Sequence, residues 1–234
     1  MAEDLKETRQ DNDANFSMVI ASAVHDMKNS LSMLLHSLDE LREEHGPELT
    51  ESKRFNTLQY EAQRVHGDLV QLLGLYRLQE DKLTPHVDEH DVTDFLALQL
   101  SRHKPLLDGR NIQYQLQASE VSGYFDQDLI GGILTNTINN AIRYTRSQIS
   151  LAAREEDGYL VISVSDNGQG YPQEMLDDPK PCLNSLDFDT GSTSLGLYFA
   201  SSVAHLHKND ERSGFIRLSN GGPLGGGVFE VWLP

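Results

Sequence analysis

Apolar residues return every three or four positions along two long stretches of this chain, and that pattern limits the fold more than any other feature. Phe16, Ile20, Ala23, Met27, Leu31, Leu34, Leu38 and Leu41 make the first stripe; Leu58, Ala62, Val65, Leu69, Leu72 and Tyr76 make the second. Such spacing describes an amphipathic helix with a coiled-coil-like seam. The first pattern runs from about 15 to 44 and stops at His45-Gly46-Pro47; the second runs from about 52 to 81. Two helices joined by so short a break form an αα-hairpin. A lone hairpin cannot cover both stripes, whereas two hairpins paired into a four-helix bundle can. Residues 15–82 are therefore expected to be a homodimerisation unit. Packing of the hairpin on the chain's own C-terminal part is the alternative.

The remainder changes character. Residues 1–14 form an acidic lead-in, and 83–90, with Thr84-Pro85, read as a linker. From there the pattern gives a helix over 91–107 capped by Asp91 or Thr93, a strand over 111–117 and a helix over 126–144. Strands over 147–154 and 159–165 follow, joined by a turn at Glu156-Asp157-Gly158, then a loop of roughly 25 residues. A helix over 194–207 and strands over 215–219 and 228–233 close the chain. The expected fold class is α+β: the two-helix hairpin, then over 91–234 an α/β sandwich with helices on one face of a mixed sheet.

Charge excludes several functions. With 36 acidic against 19 basic residues the formal net charge is −17, the wrong sign for a nucleic-acid or anionic-membrane surface. The single cysteine, Cys182, permits no intramolecular disulfide and suits a reducing compartment. No apolar run approaches the roughly 18 residues of a membrane span, and the N-terminus is polar. A cytoplasmic location is expected.

Against that background a few polar residues stand out. His25 lies off the first stripe, next to Asp26 and one turn before Asn29. An exposed imidazole beside a carboxylate can act as a nucleophile or proton shuttle. In the helix over 126–144, Asn136 and Asn140 share a face, although asparagine is a mediocre helix former. Amide oxygens are hard ligands suited to Mg²⁺, Arg143 adds a cation for phosphate, and Tyr144 offers an aromatic face for a base. Asp166-Asn167-Gly168-Gln169-Gly170 follows a strand, where the carboxylate can accept from an exocyclic amine. Gly191-Ser192-Thr193-Ser194-Leu195-Gly196-Leu197 opens a helix whose free N–H groups suit phosphate. The Gly225-Gly226-Gly227 turn into the final strand reads as structural.

Taken in order, these segments resemble those of the sensor histidine kinases of two-component systems. The stretch around His25 resembles the H-box, 136–145 the N-box, 166–170 the G1-box, 191–197 the G2-box and the last turn and strand the G3 element, with Phe188 resembling a remnant of the F-box. The resemblance implies a dimerisation and histidine-phosphotransfer domain followed by a Bergerat-type ATP-binding domain. It implies ATP and Mg²⁺ as cofactors and the receiver domain of a response regulator as partner. His25 would take the γ-phosphoryl group, Asp26 would orient the ring and accept its proton, and Asn29 would place a hydrolytic water. Asn140 would ligate Mg²⁺ with Asn136 assisting, Asp166 would read the adenine amino group, and Gly168 and Gly170 would shape the pocket. Arg143, Tyr144, Gly191, Ser192, Thr193, Ser194, Leu195 and Gly196 would complete the nucleotide site, with 171–193 as a lid.

Three departures from the family pattern carry consequences. Ser30 stands where many relatives have proline, so a weaker kink is expected after His25; Ser192 and Ser194 replace glycines; and no sensor domain is expected ahead of the bundle, so input would come from a separate sensory protein, from another chain or from a domain outside this sequence. The alternatives to a kinase are a weakly ATP-binding phosphatase or phosphotransfer hub, a non-enzymatic dimeric adaptor, and a serine kinase of the same ATP-binding superfamily.

Overall fold

The computed structural model describes residues 2–46, 49, 52–80, 82–118, 121–177 and 193–234, with side chains from 22 in the first helix and from 195 in the last. Helix α1 (Ala2–His45) is continuous and extends through the expected acidic lead-in. Helix α2 (Lys53–Gln79) starts at the N-cap Ser52, whose side chain accepts from Phe55 N. The two run antiparallel: Ser32 Oγ lies 3.1 Å from His66 Nε2, and Gln59 Nε2 donates to Asp39 Oδ1 at 3.0 Å.

Each apolar stripe proves to contain two faces. Leu38 of α1 and Phe55 and Ala62 of α2 are buried inside the hairpin, while Met27, Leu34, Leu41, Leu58, Val65 and Leu72 are exposed. Both exposed sets recur every seven residues. A 3–4 spacing steps successive members about 60° back and 40° forward, so each stripe splits into two rows about 50° apart, of which the hairpin covers one.

After α2 the chain enters β1 (Asp88–Asp91), inside the expected linker, then α3 (Val92–Gly109), capped by Asp91 Oδ1 accepting from Asp94 N at 2.9 Å. There follow β2 (Gln113–Ala118), β3 (Ser122–Phe125), α4 (Gln127–Tyr144), β4 (Gln148–Glu156) and β5 (Tyr159–Asp166). The chain continues through the short α5 (Gln173–Asp177) and α6 (Thr193–Leu206). It ends with the strand pairs β6 (Lys208–Asn209) and β7 (Arg212–Ser213), then β8 (Phe215–Asn220) and β9 (Gly227–Leu233).

The main sheet has the order β2-β4-β5-β9-β8, with β2 parallel to β4 and the other neighbours antiparallel. A two-residue turn at Asp157 (φ 51°) and Gly158 (φ 75°) joins β4 to β5, the left-handed geometry that matches strand twist. Alternation sends Ile149, Leu151, Ile162, Val164, Phe229 and Val231 inward, against Phe95, Leu96, Ile130, Ile133, Leu134, Ile138 and Val203 of the helices. The core therefore lies between the sheet and α3, α4 and α6. Tyr60 and Leu75 of α2 join it, so the hairpin also packs on the C-terminal domain. The Arg110 guanidinium lies 4.2 Å over the Tyr60 ring, and Gly74 gives room to the Phe199 ring.

Asp126 fastens the layers at one end of α4. Its Oδ1 accepts from Asp128 N and Leu129 N, its Oδ2 accepts from His86 N at 2.7 Å, and its own N–H donates to His207 Nε2 at 3.0 Å. His207 Nδ1 in turn donates to Val203 O at 2.9 Å, fixing the neutral tautomer. Burial, partly offset by the Val203 hydrogen bond and Asp126, holds the His207 pKa below its ordinary value.

Candidate functional site

His25 stands on the exposed side of α1. Its Nδ1 lies 3.4 Å from Asn29 Nδ2 and 3.6 Å from Asp26 Oδ1, the latter too long for a hydrogen bond. Both neighbours meet the ring at Nδ1, and among the described residues nothing engages Nε2. If Asn29 donates to Nδ1, the ring proton sits on Nε2; if Nδ1–H turns to Asp26, the Nε2 lone pair is free. The two neighbours thus favour opposite tautomers. Ser30 Oγ donates to Asp26 O at 3.0 Å, and α1 continues through this point.

The second cluster forms where the end of α4 meets the loop after β5. Asn167 joins them: its Oδ1 accepts from Thr145 Oγ1 at 2.7 Å, Arg146 N at 3.1 Å, Ser147 N at 3.0 Å and Gln148 N at 3.1 Å, while its Nδ2 donates to Ser147 Oγ at 3.0 Å. This seats the loop so closely that a Cβ at Gly168 would strike the Tyr144 carbonyl oxygen. Gly168 N donates to Asp166 Oδ1 at 2.6 Å, which orients the carboxylate and leaves Oδ2 for another donor. Gly226 N donates to Asp166 O at 3.1 Å, so the glycine turn expected to be only structural forms a wall of this site.

The lid boundary is also built. Gly170 takes φ +82° beside the Asn220 side chain, a conformation glycine adopts without strain. Asn220 then clamps the next residue, with Tyr171 N donating to Oδ1 at 2.7 Å and Nδ2 donating to Tyr171 O at 2.8 Å.

On α4, Asn136 packs against Gly196 at the start of α6, where a Cβ would collide with it. Asn140, one turn on, is half-buried and makes no side-chain hydrogen bond among the described residues. Tyr144 is exposed, with the Arg143 guanidinium 5.3 Å over its ring. Arg143 also acts on α2: it lowers the pKa values of Tyr60 and Asp68, although burial dominates and raises both. Asn140, Tyr144, Gly168 and Asp166 therefore lie along one surface, with Asn136 and Gly196 at its α6 side. Leu195 is half-buried beside them. Thr193 and Ser194 begin α6, while Gly191, Ser192, Phe188 and Cys182 lie outside the described residues.

The donor set fits Mg²⁺. This ion needs only one or two protein oxygens when phosphate and water supply the rest, and no described residue engages the Asn140 amide. No cluster of three or more His, Cys, Asp or Glu side chains among the described residues would suit a different metal. A polar groove of about 210 Å³ lined by Gln99, Arg102, Gln127, Asp128 and Thr135 lies at the opposite end of α4 and takes no part in this arrangement. No described helix is long and apolar enough to cross a membrane.

Asn167, Tyr171, Asn220 and the turn at 226–227 were not singled out by sequence as site residues. Only the glycines carried a signal, since the Asn220 and Asn167 contacts join segments far apart in the chain.

Residues 125–234 match the family described as Histidine kinase-, DNA gyrase B-, and HSP90-like ATPase. The chain is 28% identical over 242 aligned positions to the sensor-like histidine kinase SenX3 of Mycolicibacterium smegmatis, covering 98% of this chain and 58% of that protein. It is 24% identical over 227 positions to the sensor histidine kinase CpxA of Escherichia coli, covering 92% of this chain and 46% of that one. The chain thus spans about half the length of the curated relatives it matches. The Acinetobacter baumannii histidine kinase AdeS shares its fold, with TM-score 0.59 and 20% identity over 88% of this chain and 95% of that chain. Residues 125–234 thus match the histidine kinase-, DNA gyrase B- and HSP90-like ATPase family, and the relatives similar along the length of the chain are named sensor histidine kinases.

Proposed function

We propose that this chain is an ATP-dependent protein-histidine kinase that phosphorylates its own His25 and passes the phosphoryl group to an aspartate of a response-regulator receiver domain. One observation carries the reading: a single chain holds an exposed histidine and an ATPase-family pocket in which, among the described residues, the Asn140 amide has no hydrogen-bond partner and Asp166 is oriented by Gly168 N through Oδ1 alone. In the forward step the His25 Nε2 lone pair attacks the γ-phosphorus, the bond from the γ-phosphorus to the β,γ-bridging oxygen breaks, and ADP leaves with that electron pair. Asp26 takes the Nδ1 proton. Mg²⁺ held by Asn140 would neutralise phosphate charge, and the rest of catalysis is positioning. Asp166 Oδ2 accepts from the adenine amino group.

Asn29 supports an additional phosphatase activity. Its amide already reaches the His25 ring, and the same reach can place a water against a receiver phosphoryl group. The dimer rests on the open apolar seam. The hairpin register sets Leu34 about level with Val65, with Met27 near Leu72 and Leu41 near Leu58, giving three layers that a second copy would cover. The cytoplasm is the proposed location, and a separate sensory protein is a proposed further partner.

The test is incubation with γ-labelled ATP and Mg²⁺. Acid-labile, base-stable label that disappears in His25→Ala and in Asn140→Ala is expected. Acid-stable label would replace the reading with serine phosphorylation, and ADP binding without any label would favour the phosphatase or hub.

A further inference from the structure

The structure holds the Tyr171 ring beside Asp166. A Cβ placed on Gly227 would stand 3.0 Å from Tyr171 Cε2 and 3.2 Å from Asp166 Oδ2, so ring and carboxylate flank the same glycine. The ring is not there by chance of loop conformation. Asn220 fixes the backbone of residue 171 from both its N–H and its carbonyl, at 2.7 and 2.8 Å, and the ring packs on the edge of the main core. Among the described residues no protein group takes up the Tyr171 hydroxyl. Burial, reinforced by the Asp166 charge, raises its pKa well above the ordinary value, so it remains a hydrogen-bond donor at physiological pH.

The geometry points to Tyr171 as a second base-reading residue of the nucleotide pocket, its hydroxyl donating to the unprotonated ring nitrogen N1 that adjoins the 6-amino group of adenine. This rests on the nucleotide reading proposed above. An adenine presents a donor, the amino group, and an acceptor, N1, side by side. A carboxylate beside a protonated phenol presents the matching acceptor and donor. A 6-oxopurine reverses both positions, placing its oxygen toward Asp166 and an N–H toward the phenol. The two groups together therefore select a 6-aminopurine more sharply than the carboxylate alone.

The experiment is calorimetric titration of the full chain with Mg·ADP and with Mg·1-deaza-ADP, in which N1 is replaced by C–H. Tyr171→Phe retains the ring on Gly227 and should fold as the wild type does, which circular dichroism checks. Expected results are ADP binding weakened about 5–10-fold in Tyr171→Phe, a similar penalty for 1-deaza-ADP on the wild type, and no penalty for it on the variant. A ring with a merely structural role would leave the 1-deaza penalty intact in the variant. Equal ADP affinity in the two proteins, or a 1-deaza penalty that survives Tyr171→Phe, overturns the assignment and leaves nucleotide binding standing. A folded wild type that binds no ADP overturns both.

Discussion

Replacing Asn167 by alanine should loosen the joint on which the nucleotide pocket depends. Four donors converge on one amide oxygen, from Thr145 Oγ1 and the backbone N–H groups of Arg146, Ser147 and Gln148. They do not count equally. Arg146 and Ser147 are exposed, so water replaces the oxygen there at little cost. Gln148 N also reaches Thr145 Oγ1 at 3.1 Å, and the Thr145 hydroxyl also reaches Gln148 O at 2.8 Å, which cushions both. Taking about 1 kcal/mol for each of the two half-buried donors and a few tenths for the lost Ser147 Oγ contact gives about 2–3 kcal/mol. For a chain of this size that corresponds to a Tm lower by roughly 5–10 °C. Asn167→Asp is the informative partner, because a carboxylate keeps the acceptor and loses only the bond to Ser147 Oγ. It should cost under about 1 kcal/mol. Urea unfolding of the three proteins at pH 7.5 measures both values. A loss below about 0.5 kcal/mol in Asn167→Ala, or equal damage from both substitutions, would refute the convergent-acceptor reasoning.

Two further outcomes are expected. His207 is held neutral by burial and by accepting from Asp126 N, with its folded pKa below its unfolded value. Its stabilisation is complete above pH about 6.5 and is lost as pH falls through that value toward the folded pKa, at up to about 1.4 kcal/mol per pH unit. Urea midpoints from pH 7.5 to 5 should fall more steeply for the wild type than for His207→Gln, and parallel profiles would sink the assignment. The seam predicts that Leu34→Glu with Val65→Glu yields a folded monomer by sedimentation where the wild type is dimeric, since both side chains are exposed within one chain. A dimer that persists in the double variant places the interface elsewhere.

Periodicity made the long helices readable, because burial repeats along one chain segment and leaves its mark in the sequence. The alternating strands β4, β5, β8 and β9 were legible for the same reason. Elements held by backbone pairing alone were not. Asp88-Glu89-His90-Asp91 looks like a linker by composition, yet it pairs residue by residue with β3, from Asp88 opposite Phe125 to Asp91 opposite Ser122. The tiny pair β6 and β7 escaped in the same way. In the pocket, Asp166 and the asparagines of α4 announced themselves by residue type. The groups that set their geometry, Asn167 and Asn220, work through partners about 20 and 49 positions away, and no local pattern records such a contact.

Helix α2 shows the limit of pattern reading most clearly, because it serves three surfaces. Phe55 and Ala62 meet α1, Leu58, Val65 and Leu72 remain open, and Tyr60, Leu75 and Leu78 pack on the ATPase domain. A two-stripe description merges the first two and misses the third, whose members include the polar Gln71, buried at 3% exposure on the same helical face. That third surface is chemically unlike the other two. It combines Tyr60 under the Arg110 guanidinium, Asn56 against Gly109, and a Gly74–Phe199 contact. It mixes polar and aromatic groups, where the hairpin interior is built on Leu38, Phe55 and Ala62. Arg143, at the edge of the pocket, favours the ionised forms of Tyr60 and Asp68 against the larger effect of their burial, so the pocket and α2 are linked electrostatically as well as by packing.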